Sequence, residues 1–222
     1  MRRWAPWAGY AALLAVNLVG TASGNLVLQW ISKPLLMPYL LVYTILVGGT
    51  ARPTARWIHN GLFFATIADI ALQIPGTPTF MLGIAFFAAM QVCFIAAYLR
   101  LGALRRLRED LWTRLWIPLA YLAVWAALNL ALGGEFGDLR IPIAVYSLLL
   151  VTMAATASLL GARVGIGGAL FLISDAMIGL GVAHLGFTGR DVAVMLTYGA
   201  AQALIVDGWL VRTSTMTPER SP

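Results

Sequence analysis

The chain has 222 residues, of which 60% are hydrophobic and 11% charged, with a mean hydropathy of +0.83, whereas soluble domains usually carry about 25% charged side chains. A water-soluble globule, a disordered tail and a disulfide scaffold are excluded, because charge is scarce and Cys93 is the single cysteine. The net charge of +6 comes from fourteen Arg and one Lys gathered at the edges of apolar runs, which is loop charge that orients a bundle in a bilayer rather than a basic stripe for nucleic acid.

Cutting the chain at charged and Pro/Gly-rich breaks gives eight apolar runs, at residues 7–28, 34–50, 57–74, 79–99, 115–132, 141–160, 164–186 and 191–211. Each approaches the ~20 residues that a helix needs to cross hydrocarbon. The runs lack the alternating pattern of outer-membrane strands, and a lone segment in lipid can satisfy its backbone only as a helix. The first run follows Arg2 and Arg3 and passes the small residues Gly20 to Gly24, where a signal peptide could be cleaved. Its apolar character continues through Leu26, Val27 and Leu28, which favours a first transmembrane helix. Lys33 and Pro34 open the second run, and Arg100 to Arg114 is the one long polar connection.

With the N-terminus inside, twelve arginines fall on the cytoplasmic side (Arg2, Arg3, Arg52, Arg56, Arg100, Arg105, Arg106, Arg108, Arg114, Arg163, Arg212 and Arg220) against Lys33, Arg140 and Arg190 outside. The expected architecture is therefore all-α: a single polytopic domain over residues 1–222 with eight transmembrane helices, both termini cytoplasmic, in a bacterial inner membrane. Four crossings per half also suggest a parallel four-plus-four repeat, with Gly61 and Gly167 each eight residues before an aspartate.

A carboxylate deep in a membrane costs roughly 2.5–3.5 kcal/mol on insertion scales, so each needs a reason. Asp69 in the third run and Asp175 in the seventh lie ~18 Å and ~17 Å from the inner ends of their helices. They share a depth and are the candidate catalytic pair. Asp207 sits one turn from the inner end of the last run, where it can snorkel or pair at the interface. Helical spacing places Thr66 and Gln73 beside Asp69, and Gly168 and Gly179 beside Asp175, where glycine permits close approach or leaves room for a ligand. Tyr198 and Gln202 share a face of the eighth run, as Gln91 and Tyr98 do of the fourth. A lone Gln, Tyr or Thr in such a helix ordinarily staples helices together; two aspartates at one depth point to function.

Other chemistries lack their residues. There is no second cysteine, and His59 and His184 fall at opposite ends of their helices, about 30 Å apart. No nucleophile elbow or phosphate loop is present, and the only lysine opens a helix rather than occupying its middle. Carboxylate chemistry or transport remains, with no metal or cofactor expected.

Lys33-Pro34-Leu35, Ala68-Asp69-Ile70-Ala71-Leu72, Phe86-Phe87, the run from Gly168 to Asp175 (Gly-Ala-Leu-Phe-Leu-Ile-Ser-Asp) and the stretch from Tyr198 to Gln202 together resemble the lysoplasmalogenase (YhhN-like) family. The chain departs from the family's pattern at Ala68, where a glycine is usual, and at Gln91, where a histidine is usual. The resemblance implies an eight-helix membrane hydrolase that cleaves the vinyl ether of lysophospholipids to a fatty aldehyde and a glycerophospho-alcohol. That reaction needs one carboxyl protonated, to protonate the β-carbon, and another ionised, to stabilise the resulting cation or activate water. Asp69 and Asp175 fit as a pair without a fixed division of roles. Lys33 is the candidate for the lipid phosphate, or else an interfacial anchor. Gln91, Tyr198 and Gln202 are the candidate substrate contacts.

Two other classes compete. A proton-coupled transporter would also pair membrane carboxylates, but it needs a polar path to both faces. A non-catalytic lipid-binding member would keep the fold without the chemistry. One cavity reached by both aspartates favours hydrolysis, and separate packing favours the scaffold.

Overall fold

Helices dominate because apolar residues in lipid leave the backbone no outside partner. A computed structural model of the chain describes residues 5–48, 50–214 and 216. It contains α1 (Ala5–Ala22), α2 (Leu26–Gly48), α3 (Ala55–Gln73), α4 (Thr77–Arg100), the short α5 (Ala103–Glu109) and α6 (Leu111–Arg114), α7 (Trp116–Leu132), a 3₁₀ turn (Gly137–Leu139), α8 (Arg140–Leu160), α9 (Ala162–Val182) and α10 (Arg190–Ser214). Eight of these are long, and six spans are long and apolar enough to cross a membrane. The chain is thus a multi-pass, all-helical membrane protein. α3 is not among those six spans, since Arg56, His59, Asn60, Asp69 and Gln73 lower its hydropathy.

Three helix boundaries depart from the sequence reading by four residues or more, the first being the end of α1, at Ala22 rather than 28, so that Leu26, Val27 and Leu28 belong to α2. α2 begins at Leu26, eight residues before the expected start at 34. Gly24 adopts φ +68°, and the Asn25 amide donates back to the Gly20 carbonyl at 2.8 Å, which closes α1. The Asn25 side chain then caps the Leu28 amide at 3.1 Å. Lys33 and Pro34 therefore lie inside α2, which also tolerates Pro38, as membrane helices do when neighbouring groups satisfy the freed carbonyls. At the other end of the chain α9 stops at Val182 rather than 186. His184 takes φ +58°, and the Leu185 amide reaches the Leu180 carbonyl.

Neighbour relations repeat between the halves. α1 packs on α2, α2 on α3 and α3 on α4, while α7 packs on α8, α8 on α9 and α9 on α10. The halves meet where α4 touches α8 and where α10 touches α1 and α2. Small residues allow the closest approaches. A Cβ on Gly167 would come within 2.9 Å of the Ala201 carbonyl oxygen, and one on Gly168 within 3.0 Å of the Ala154 Cα. α10 is central, burying Tyr198, Ala201, Gln202, Ile205, Val206 and Trp209, whereas α7 buries none of its residues and faces outward.

At one end of the bundle arginines cap carbonyls that the helices leave open. Arg106 donates to the Leu160 carbonyl, Arg212 to those of Leu160 and Leu101, and Arg52 to that of Leu210. These cations come from three segments that the sequence reading places inside: the α2–α3 connection, the segment between α4 and α7, and the end of α10. Arg2, Arg3 and Arg220 lie outside the described residues.

Candidate active site

The two aspartates occupy separate surroundings. Asp69 lies on α3 four residues before its end, 1% exposed. The Tyr198 hydroxyl on α10 donates to its Oδ2 at 2.7 Å, and Lys33 Nζ on α2 stands 3.9 Å from its Oδ1. Three helices thus converge on one carboxylate. Lys33 is committed to this ion pair, with its side chain 18% exposed. It lies inside α2 rather than opening it, which corrects the expected helix start. Tyr10 of α1 lies nearby and donates to the Gly199 carbonyl at 2.9 Å, fixing the turn of α10 that carries Tyr198.

Asp175 on α9 meets Tyr146 of α8, whose hydroxyl donates to Oδ2. Both side chains are partly accessible because they line a cavity between α3, α4, α7, α8 and α9. The cavity has a volume of about 90 Å³ and is partly open to the surroundings. Its wall is apolar, with Leu72, Phe80, Leu128, Leu150 and Leu172, and Asp175 is its only acid among the described residues. Asn129 and Ser147 form a second polar spot, 3.3 Å apart. Gly179, one turn beyond Asp175, borders the cavity, and a Cβ added there would meet nothing within 4 Å. Gly168 serves helix packing and Gly179 leaves space, so the two glycines flanking Asp175 divide the roles considered for them.

An aromatic wall separates the two aspartates. Phe87 lines the cavity and packs edge-on against Tyr198 and Phe171, with centroids 5.9 Å apart in both cases, while Phe171 and Tyr198 lie at 5.6 Å. Asp69 therefore does not reach the cavity, although the two carboxylates lie within electrostatic range of each other. Gln91 is wholly buried and lies near the Tyr146 hydroxyl, yet neither of its amide atoms makes a hydrogen bond of ordinary geometry. Gln202 donates to the Met90 sulfur at 3.4 Å, and its carbonyl has no partner among the described residues. Neither glutamine borders the cavity. Asp207 pairs with Arg163 at 2.9 Å, away from both pockets.

Tyr146 is the residue that sequence reasoning missed. It and Ser147 are the first polar side chains after Pro142 on α8, and a search for a polar group on a helix adjoining that of Asp175 points to them. A lone tyrosine in an apolar run does not carry that signal by itself.

The fold and site define an α-helical membrane protein with a tyrosine-bonded carboxylate on the wall of an apolar cavity. The chain belongs to the YhhN family, whose profile matches residues 28–209. It is 34% identical over 163 residues to proteins named lysoplasmalogenase from Mycobacterium bovis and Mycobacterium tuberculosis, an alignment covering 69% of this chain and 60% of theirs. It is 28% identical over 183 residues to lysoplasmalogenase TMEM86B of Rattus norvegicus, covering 80% of this chain and 72% of that protein. The chain thus spans about 60% of the length of the mycobacterial relatives it matches. No solved structure matches it.

Proposed function

We propose that this chain hydrolyses the vinyl ether bond of lysoplasmalogen-type lysophospholipids within the membrane. The observation that carries the reading is Asp175, held by Tyr146, as the only acid among the described residues on the wall of a cavity whose apolar lining suits an alkenyl chain. The names of the relatives support the same substrate class.

The Asp175 carboxyl gives its proton to the β-carbon of the vinyl ether. The double-bond electron pair becomes the new C–H bond, and positive charge spreads over the α-carbon and the ether oxygen. Water adds to the α-carbon and returns a proton to the Asp175 carboxylate, as a single group serves as acid and then base. The resulting hemiacetal breaks its C–O bond to the glycerol, releasing aldehyde and alcohol with one water consumed. Tyr146 orients the carboxyl so that one oxygen faces the alkene. Asp69 completes the pair from behind the aromatic wall, where its field favours the cationic intermediate and its bond to Tyr198 fixes that wall. It is a positioning residue. Gln91, Tyr198 and Gln202 support the pockets in this reading rather than touching the lipid.

The same proposal includes eight crossings, both termini cytoplasmic, in a bacterial inner membrane. The arginine-capped carbonyls of Leu101, Leu160 and Leu210 at one end support it, and a reporter fused after Pro222 that reads as external would overturn it. The hydrolysis is tested by incubating the purified protein with a 1-alkenyl lysophospholipid and an ester lysophospholipid, with mass spectrometry for the released aldehyde. Aldehyde from the alkenyl lipid alone is expected. A non-catalytic lipid-binding role is the second reading, favoured by the closed pairing of Asp69, and it predicts retention of the alkenyl lipid without aldehyde.

A further inference from the structure

The cavity extends to one end of the bundle. Leu132 and Val182, the last residues of α7 and α9, line it together with Phe136 of the connection between α7 and α8. Three cations belong to the connections or helix segments at this end, and two are already engaged: Lys33 with Asp69, and Arg190 with Asp191 at 2.7 Å. Arg140, the first residue of α8, is exposed and makes no ion pair with an acid among the described residues, although Glu135 and Asp138 precede it in the same connection.

Its position on the helix aims it at the cavity. Ile143 and Ser147 follow at i+3 and i+7, the spacing of one helical face, and both line the cavity with Tyr146. The guanidinium lies over the end of α7, where its Nε is 3.4 Å from the place a Cβ on Gly133 would occupy. The absence of a side chain at Gly133 leaves room for it.

We propose that Arg140 binds the phosphate of the lysophospholipid head group at the cavity mouth; the inference rests on the reading of Asp175 as the vinyl-ether site. The lengths agree. Arg140 stands six residues before Tyr146, a rise of about 9 Å. In a lysoplasmalogen five bonds separate the vinyl-ether oxygen from phosphorus, roughly 6 Å at the ~1.2 Å per bond of an extended chain. A guanidinium turned toward the cavity spans the difference and offers two parallel donors to phosphate oxygens. The alkenyl chain then lies along Leu150, Phe87 and Leu172, with the head group at the end of the bundle.

The test uses binding, so it does not depend on turnover. The purified protein and its Arg140→Gln and Arg140→Lys variants are titrated with a saturated 1-O-alkyl lysophospholipid, which has no vinyl ether to hydrolyse, with a 1-O-alkylglycerol lacking phosphate, and with inorganic phosphate. Arg140→Gln is expected to weaken the phospholipid about tenfold, the worth of one charge-assisted contact, and to leave the alkylglycerol unchanged, with Arg140→Lys in between. Equal losses for both ethers, or none for either, would overturn the assignment. So would inorganic phosphate binding as tightly as the lipid, which would make Arg140 a simple anion site. If the wild type binds with this pattern but releases no aldehyde from an alkenyl lipid, the hydrolase reading fails while the head-group site stands.

Discussion

Asp69 and Asp175 each stand among apolar residues on the third long helix of their half of the chain, eight residues after a glycine that packs against the following helix. Asp69 has a cation at 3.9 Å, a phenol at 2.7 Å and almost no exposure. Asp175 has a phenol alone and opens on a cavity. The difference comes from the neighbouring helices. In the first half α2 supplies Lys33 and α10 crosses from the other half with Tyr198. In the second half α8 supplies Tyr146, and α4 brings only the uncharged Gln91. A carboxylate balanced by a fixed cation and shut from the substrate holds structure and field, whereas one with a neutral partner and an open side can exchange a proton.

That contrast is broken most directly at Asp175. Asp175→Asn keeps the shape and loses the exchangeable proton, so vinyl-ether hydrolysis should fall at least 100-fold, in the range expected for loss of general acid–base catalysis, with monodisperse elution in detergent unchanged. Tyr146→Phe should cost about tenfold, the value of one orienting hydrogen bond. Full turnover in Asp175→Asn would move the chemistry elsewhere.

At Asp69 the first readout is stability. Lys33→Met leaves a buried carboxylate without its cation, a loss on the order of 3 kcal/mol that should appear as a lower thermal unfolding midpoint. Adding Asp69→Asn to that variant should recover most of the loss, because neither charge then remains. If the double variant is less stable than Lys33→Met, the 3.9 Å pair is not coupled. If it also hydrolyses at the wild-type rate, Asp69 has no part in positioning.

The sequence shows the eight long helices because charge and Pro/Gly breaks mark where the chain leaves hydrocarbon. It also singles out both aspartates, since an ionisable group in such a run is costly. The start of α2 was hidden because Asn25 and Gly24 look like one polar interruption, whereas Lys33-Pro34 looks like a stronger one. The capping carried by Asn25 is local chemistry that hydropathy does not weigh. The separation of the pockets was not legible at all. Depth along a helix is a one-dimensional measure, and only packing brings Phe87, Phe171 and Tyr198 between two carboxylates of similar depth. For the same reason the pairing of Lys33 with Asp69 was not legible from its place in the sequence.

Gln91 sharpens the comparison from the side of Asp175. Its amide is buried beside Tyr146 with both polar atoms unpartnered, and replacing an unsatisfied polar group by an apolar one of similar size is nearly neutral or stabilising. Gln91→Leu should therefore keep or raise the thermal midpoint while lowering turnover several-fold, through changed packing beside Tyr146. Gln91→His introduces a group that titrates between about pH 5 and 8, and should add an inflection in that window to the plot of turnover against pH. Three coincident profiles would detach Gln91 from the site.

The smallest effect is expected at Asp207, the third carboxylate of the apolar helices and the control for the other two. Its bond to Arg163 is well formed at 2.9 Å, but the side chains are 34% and 58% exposed, and exposed pairs are worth under about 1 kcal/mol. The contact between α9 and α10 does not depend on it, because Gly167 lets the helices approach to van der Waals distance and Gly208 sits directly against Val164. Asp207→Asn should leave turnover within twofold of wild type and shift the midpoint little, and raising the salt concentration should shrink even that shift. A tenfold loss of turnover would mean that charge at the far end of α10 is felt at Tyr198, six residues before Leu204 and nine before Asp207 on the same helix, and the distinction between the pockets would then have to include the field along α10 as well as the side chains around each carboxylate.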